Sequence, residues 1–272
     1  MKILRLATLL VFAITSCIFA WFYYDTTINI DNTLPSITIE DELLKVSIHD
    51  DKNFLLQGVS AYDEKDGDLT NKVIVESISQ FTDEGVCNAT YAVADSNQHV
   101  AKKARKIQYT DYESPRFTLK QSMTFPVGKS IDVHQVIGAV DCIDGDISDR
   151  VIISATDYQS NTIGVFSLSL QTTNTKGDVA YLDLSIYIEE QNVRAPIIEL
   201  SDYLIYVPKG KRLDFKNYVT AIYSNYNQID ESSFLISENY NPNVPGVYDV
   251  HYYVLDNLGN EEHTVLTVIV EE

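Results

Sequence analysis

Two clusters of aspartate recur with one spacing. Asp63, Asp66 and Asp68 lie in Ala61-Tyr62-Asp63-Glu64-Lys65-Asp66-Gly67-Asp68-Leu69-Thr70. Asp141, Asp144 and Asp146 lie in Ala139-Val140-Asp141-Cys142-Ile143-Asp144-Gly145-Asp146-Ile147-Ser148. Hard carboxylate oxygens this close together suit Ca2+. The EF-hand pattern fails, because no bidentate glutamate follows at the twelfth position. The competing use is a tight Asp-Gly turn capped by side-chain oxygens. Three carboxylates alone also underfill a calcium shell of about six to eight oxygens.

Tyrosine offers a second chemistry. The chain holds 18 tyrosines, half of them beyond residue 200. Tyr223, Tyr226 and Tyr240 fall in expected loops beside Asn225, Asn227, Asn239 and Asn241. Exposed tyrosine mixed with asparagine gives large contact area at small entropic cost, so these three are the candidate ligand contacts. The plainer reading is a tyrosine-rich sandwich surface, since single exposed aromatics are ordinary. Catalysis finds no support. His49, His99, His134, His251 and His263 show no metal-ligand spacing, and there is no H-E-x-x-H, G-x-S-x-G or phosphate loop. Cys87 reads as a small buried hydrophobe. No repeat owns two cysteines, so no disulfide forms within one.

The elements that must position these residues repeat three times. Gly85-Val86-Cys87, Gly164-Val165-Phe166 and Gly246-Val247-Tyr248 each open a strand, about 80 residues apart. Phe166, Leu168 and Leu170 alternate with Val165, Ser167 and Ser169, and Tyr248, Val250, Tyr252 and Val254 alternate in the same way. Period two with one apolar face means a half-buried strand. A second strand follows in each unit, such as Leu182, Leu184, Ile186 and Ile188, after a turn rich in Asn, Asp and Gly. The pair is a hairpin. Each unit opens on a proline-marked edge at Pro35, Pro115 and Pro196, where no ladder donor is required. Short linkers predict little freedom between neighbours. The expected fold is all-β: three tandem Ig-like Greek-key β-sandwiches after an N-terminal transmembrane helix. The expected boundaries are 1–33 for a cytoplasmic stub, membrane anchor and stalk, then repeats at 34–112, 113–193 and 194–272.

The Asp-Gly-Asp motifs, the Gly-Val-Tyr strand and the turn Asp256-Asn257-Leu258-Gly259-Asn260 together resemble bacterial Ig-like surface repeats. That kind is also found in a pesticidal crystal toxin and is akin to hyalin-type repeats. The resemblance covers roughly residues 34–272. In the third unit Ala221-Ile222-Tyr223-Ser224-Asn225-Tyr226-Asn227-Gln228-Ile229-Asp230 has lost the Asp-Gly-Asp. Such repeats are non-catalytic modules of surface proteins, so the resemblance implies a spacer or adhesin. The alternative is an accessory carbohydrate- or peptide-binding module of an extracellular complex. The implied partner is an extracellular protein or glycan.

The N-terminus sets the location. Residues 4–24 form an apolar stretch whose one charge, Arg5, sits at its edge, and about 20 apolar residues span a bilayer. Lys2 and Arg5 precede it, and Trp21, Phe22, Tyr23 and Tyr24 close it at headgroup level. Positive-inside logic makes this a single-pass anchor in the cell membrane with the C-terminal part extracytoplasmic. Ile14-Thr15-Ser16-Cys17 resembles a lipobox, which would make Cys17 a lipidated N-terminus. Ordinary signal cleavage is the third option. All 39 acidic residues lie beyond residue 24, and the net charge is −19. That excess excludes nucleic acid as a partner, because phosphate needs Lys and Arg to displace its counterions.

Overall fold

The computed structural model describes residues 2–24, 33–190, 192–224 and 234–272, with side chains from residue 5. Tyr226, one of the three candidate contact tyrosines, lies outside the described residues. The first element is helix α1, Lys2–Tyr23. It is apolar and exposed along Arg5–Tyr23, 19 residues, long enough to cross a membrane.

All-β structure follows. The first repeat contributes β1 (Ser36–Ile39), β2 (Leu43–Val46), β3 (Val59–Asp63), β4 (Gly67–Asp68), β5 (Ile74–Ile78), β6 (Val86–Ala94) and β7 (Val100–Tyr109). The second contributes β8 (Arg116–Leu119), β9 (Thr124–Pro126), β10 (Ile137–Asp141), β11 (Gly145–Asp146), β12 (Ile152–Thr156), β13 (Gly164–Thr173) and β14 (Val179–Glu189). The third contributes β15 (Ile197–Leu200), β16 (Leu204–Pro208), β17 (Val219–Tyr223), β18 (Phe234–Glu238), β19 (Gly246–Leu255) and β20 (Glu261–Glu271). Each repeat builds two sheets. The larger ones run β2-β7-β6-β5, β12-β13-β14-β9 and β16-β20-β19-β18, and the smaller ones β1-β3-β4, β11-β10-β8 and β15-β17. These are Ig-like Greek-key sandwiches, with β9 and β16 joining β14 and β20 in parallel. The chain forms two compact units, one of residues 1–79 and 86–108, the other of 80–85 and 109–272. The second unit holds the second and third sandwiches.

Alternation decides which side chains enter each core. On β13 and β14, Leu168, Leu170, Leu182, Leu184, Ile186 and Ile188 are all buried and pack on Phe117, Phe125 and Ile137. Cys87 is fully buried in the first repeat. Tyr252 reaches through the third core to donate to the carbonyl of Phe215 at 2.9 Å, and Tyr91 does the same to Leu55 at 2.6 Å in the first. Both acceptors lie in short 3-10 turns, Phe215–Tyr218 and Lys52–Leu56. The second repeat has Leu170 at that position and a single helical turn, Val133–Val136, in place of the 3-10 turn.

The hairpins close on one device used three times. Asp95 accepts from the N–H groups of Asn97 and His99, Asn174 from Lys176 and Asp178, and Asp256 from Leu258 and Asn260. The fourth turn residue is left-handed in every case: Gly177 at φ 81°, Gly259 at φ 83°, and Gln98 at φ 69°. Glycine takes that conformation at no steric cost, and Gln98 takes it only because the aspartate holds the turn.

Thr172 breaks the pattern of the core. It is 1% exposed, and its hydroxyl has no hydrogen-bond partner. The aligned residues of the other repeats are the buried Val93 and Val254. A buried hydroxyl without a partner carries its full desolvation cost, and valine has the same shape without it. Thr172→Val is therefore expected to stabilise the second unit by about 1 kcal/mol and to raise its Tm by about 2–4 °C. Scanning calorimetry reads this, and an unchanged or lower Tm would refute the assignment.

Candidate functional site

The two aspartate clusters sit at corresponding corners of the first two sandwiches, where β3 turns into β4 and β10 into β11. Asp63 is buried and accepts from the N–H groups of Lys65 and Asp66 at 2.9 and 3.0 Å. Asp141 does the same for Ile143 and Asp144 at 2.9 and 2.8 Å, and also accepts from the Asn174 amide at 3.0 Å. The second aspartate of each cluster reaches the hairpin turn about 30 residues away. Asp66 accepts from the Ser96 N–H and hydroxyl, and Asp144 from the Thr175 N–H and hydroxyl. Burial pushes the Asp144 carboxyl up, but these bonds and the Arg150 guanidinium at 2.6 Å bring it below the usual carboxylate range. The third aspartate bonds to the first residue of the following 3-10 turn: Asp68 accepts from the N–H of Thr70, and Asp146 from the N–H and hydroxyl of Ser148. The bonds to these Thr and Ser residues lower both carboxyls.

Each cluster is thus a latch that ties the β3–β4 or β10–β11 turn to the hairpin of the same sandwich. Sequence spacing showed the tight turn but not the distant partner. Among the described residues no group of three or more His, Cys, Asp or Glu is arranged to hold a metal ion.

The candidate tyrosines fare differently. Tyr223 ends β17 instead of lying in a loop, because the β15–β17 ladder runs one residue further than the loop-like Asn-rich sequence suggested. Its hydroxyl donates to Glu199 at 2.9 Å, and that bond holds the phenol above its ordinary pKa. Tyr240 is half-buried. Its hydroxyl donates to the carbonyl of Lys211, and its ring packs edge-on against Phe215 and Tyr248. Among the described residues the two tyrosines share no hydrogen-bond partner.

The structure brings together a group the sequence did not. Within the second unit, β14 of the second sandwich meets β19 and β20 of the third. Glu189 lies 2.6 Å from Nδ1 of His263, and Nε2 of His263 lies 2.9 Å from Nδ1 of His251. The network fixes the tautomers: His251 donates to His263, and His263 donates to Glu189. Tyr253 stacks on His263 at 4.6 Å, and Tyr187 meets both imidazoles edge-on while its hydroxyl donates to Asp249 at 2.8 Å. Burial holds His251 below its ordinary pKa, with His263 adding to the effect. Burial and then Glu189 push Glu262 up to about 7. At the other end of β20, Arg116 pairs with Glu271 at 2.8 Å and lies over the Tyr206 ring, whose hydroxyl accepts from the Phe117 N–H at 2.8 Å. Chemically this is a hydrogen-bonded and ring-packed joint between two sandwiches. The hairpin register was the available signal. His251 opposes Val265 and Tyr253 opposes His263, so the two histidines are diagonal neighbours on one face.

No family model matches the chain. It is 25% identical over 224 residues to the pesticidal crystal protein Cry22Aa of Bacillus thuringiensis, covering 77% of this chain and 29% of that protein. It is 25% identical over 138 residues to an 81.3 kDa protein of Acholeplasma phage L2, covering 49% of this chain and 18% of that one. The chain thus spans less than a third of the length of either relative. Among solved structures, Drosophila N-cadherin EC1-3 is similar with 11% identity and a TM-score of 0.30, covering 89% of this chain and 90% of that one. A structure of CBM51-2 in complex with GlcNAc and INT domains from Clostridium perfringens ZmpB is similar with 16% identity and a TM-score of 0.23, covering 87% and 42%. The weak relationship to Cry22Aa agrees with a β-sandwich surface-domain type and names no specific family.

Proposed function

We propose that this chain is a non-catalytic, membrane-anchored module of a bacterial cell surface. In this reading the Ig-like repeats 34–112, 113–193 and 194–272 act as spacer and adhesion elements toward an extracellular protein or glycan. The observation that carries it is α1: an apolar helix, exposed along its whole described length, joined to acidic sandwiches. A bilayer would cover that surface, and the acidic remainder would stay in water. Residues 4–24 are then the membrane contact. Intact mass of the native protein, combined with protease treatment of whole cells, tests it. An unprocessed N-terminus with repeats cleaved from outside is the expected result. A diacylglyceryl adduct on Cys17 supports the lipoprotein form of the same reading. A soluble cytosolic protein, protected from protease, removes it.

Tyr223, Tyr226 and Tyr240 are carried forward as candidate contacts. Calcium is carried forward as the candidate cofactor of Asp63, Asp66 and Asp68 and of Asp141, Asp144 and Asp146. An ion there would compete with the N–H donors that these carboxylates already hold. Thermal unfolding in excess calcium and in chelator reads this. A rise in Tm that Asp141→Asn abolishes places the ion, and an unchanged Tm removes it.

A further inference from the structure

A groove of about 500 Å³ opens on the outward face of β13 and β14, where Val247 and Asp249 of β19 form its side. Its floor is built from short polar side chains. Ser167 stands opposite Ser185, Ser169 opposite Asp183, and the next outward pair along the ladder is Gln171 with Tyr181. Strand alternation puts Tyr181, Asp183 and Ser185 on one face. Tyr181 is 71% exposed and lies one outward pair beyond Asp183, next to the groove's lining. The Ser169 hydroxyl donates to Asp183 at 2.6 Å and fixes that carboxylate, while the Tyr187 hydroxyl fixes Asp249 at 2.8 Å. Each carboxylate keeps acceptor sites beyond those bonds, since its two oxygens offer about four.

The lining selects the ligand class. It contains two carboxylates and no Lys or Arg, so it repels anions. β13 and β14 are interior strands, with β12 and β9 on their outer sides. The groove lies on the face of these strands and presents their side chains, whereas a peptide that extends a sheet pairs with backbone at a strand edge, so the side chains do the recognising. Recognition is left to hydroxyls, carboxylates and one aromatic face. A ligand rich in hydroxyls, with an apolar C–H face and no negative charge, meets all three. We propose that this groove binds a neutral glycan, stacked on Tyr181, with its hydroxyls donating to Asp183 and Asp249 and exchanging hydrogen bonds with Ser167 and Ser185. The proposal rests on the reading of the chain as a surface-binding module and names the ligand class and the face.

The test uses the full chain in detergent on a printed array of neutral and acidic oligosaccharides. Calorimetry follows with the neutral oligosaccharide retained best. Tyr181→Ala and Asp183→Asn change exposed side chains, so both variants should keep the wild-type Tm. Each is expected to weaken binding by roughly tenfold or more, as loss of an aromatic or polar anchor does. Tyr62→Ala, at an exposed tyrosine of the first repeat, should leave binding unchanged. Retention of acidic glycans only, no retention at all, or binding indifferent to Tyr181→Ala and Asp183→Asn would overturn the proposal. Glycan binding lost in Tyr223→Ala but kept in Tyr181→Ala would overturn the groove and leave the binding-module reading standing.

Discussion

Arg105→Leu is expected to destabilise the first unit by about 2–3 kcal/mol, the net of lost charged hydrogen bonds and relieved desolvation. Arg105 is 3% exposed inside the first sandwich. Its Nη2 donates to the carbonyl of Leu55 at 2.6 Å and to the Tyr91 hydroxyl at 2.7 Å, and its Nη1 donates to Gln57 at 2.8 Å. The guanidinium also lies over the Tyr91 ring at 5.3 Å. These groups pin the Lys52–Leu56 turn to β6 and β7. Ladder register makes Leu184 and Leu266 the counterparts of Arg105, and both are buried. Leucine therefore suits the strand sterically. What it removes is the donor set: the Gln57 carbonyl loses its donor, and the Leu55 carbonyl and Tyr91 hydroxyl keep only each other. Amide hydrogen exchange across β6 and β7 separates this from any effect on the second unit, whose protection should not change. Tyr91→Phe combined with Arg105→Leu should cost less than the two single changes added, because they share one network. Full retention of protection in Arg105→Leu would defeat the argument.

The contrast between Arg105 and its two leucine counterparts shows what a sequence displays and what it hides. Alternation in β13, β14 and β19 was legible because one face of each strand is buried and the period is two. The hairpin turns were legible because only a few residue types supply left-handed backbone and side-chain caps. Arg105 sits in a lysine-rich strand and reads as one more solvated charge, and its burial depends on carbonyls some 50 residues earlier. The aspartate latches hide in the same way. The spacing of Asp141, Asp144 and Asp146 specifies a turn, while Thr175 and Asn174 are brought to it only by the closed sandwich. β20 departs furthest from its pattern. His263, Val265 and Thr267 occupy its outward face and are nonetheless buried, because the second sandwich covers that face: Val265 donates to Ser122 and Ile269 packs on the second core. The uncharged run from Thr264 to Val270 was the available signal, since a strand with a solvated face carries polar or charged residues at alternate positions.

That covered face leads to the strongest pH dependence expected of the molecule. Glu262 lies on β20 next to His263 and lines one pocket with Glu189 of β14 at the joint. Its carboxyl is pushed from the ordinary 4.5 up to about 7, first by burial and then by Glu189, with His263 opposing. A raised carboxyl pKa means that the folded state binds a proton more tightly than the unfolded chain. The associated stability is fully present below pH 4.5 and is lost as the pH rises through 7. At pH 8 the buried, ionised Glu262 is therefore a cost of about 1–2 kcal/mol, after allowance for the part of the side chain that water still screens. His251 runs the other way. Its depressed pKa gives stability that is present above about 6.5 and lost as the pH falls below it. Glu262→Gln keeps the shape and removes the charge. It should raise the Tm of the second unit at pH 8 and leave it nearly unchanged at pH 4.5, where the wild-type carboxyl is already protonated. His251→Gln should instead flatten the acid limb, beside a pH-independent cost from its lost contacts with His263 and Tyr187. Calorimetry of both variants at the two pH values decides the matter. An equal shift for Glu262→Gln at both would mean that the residue acts through packing and not through its charge.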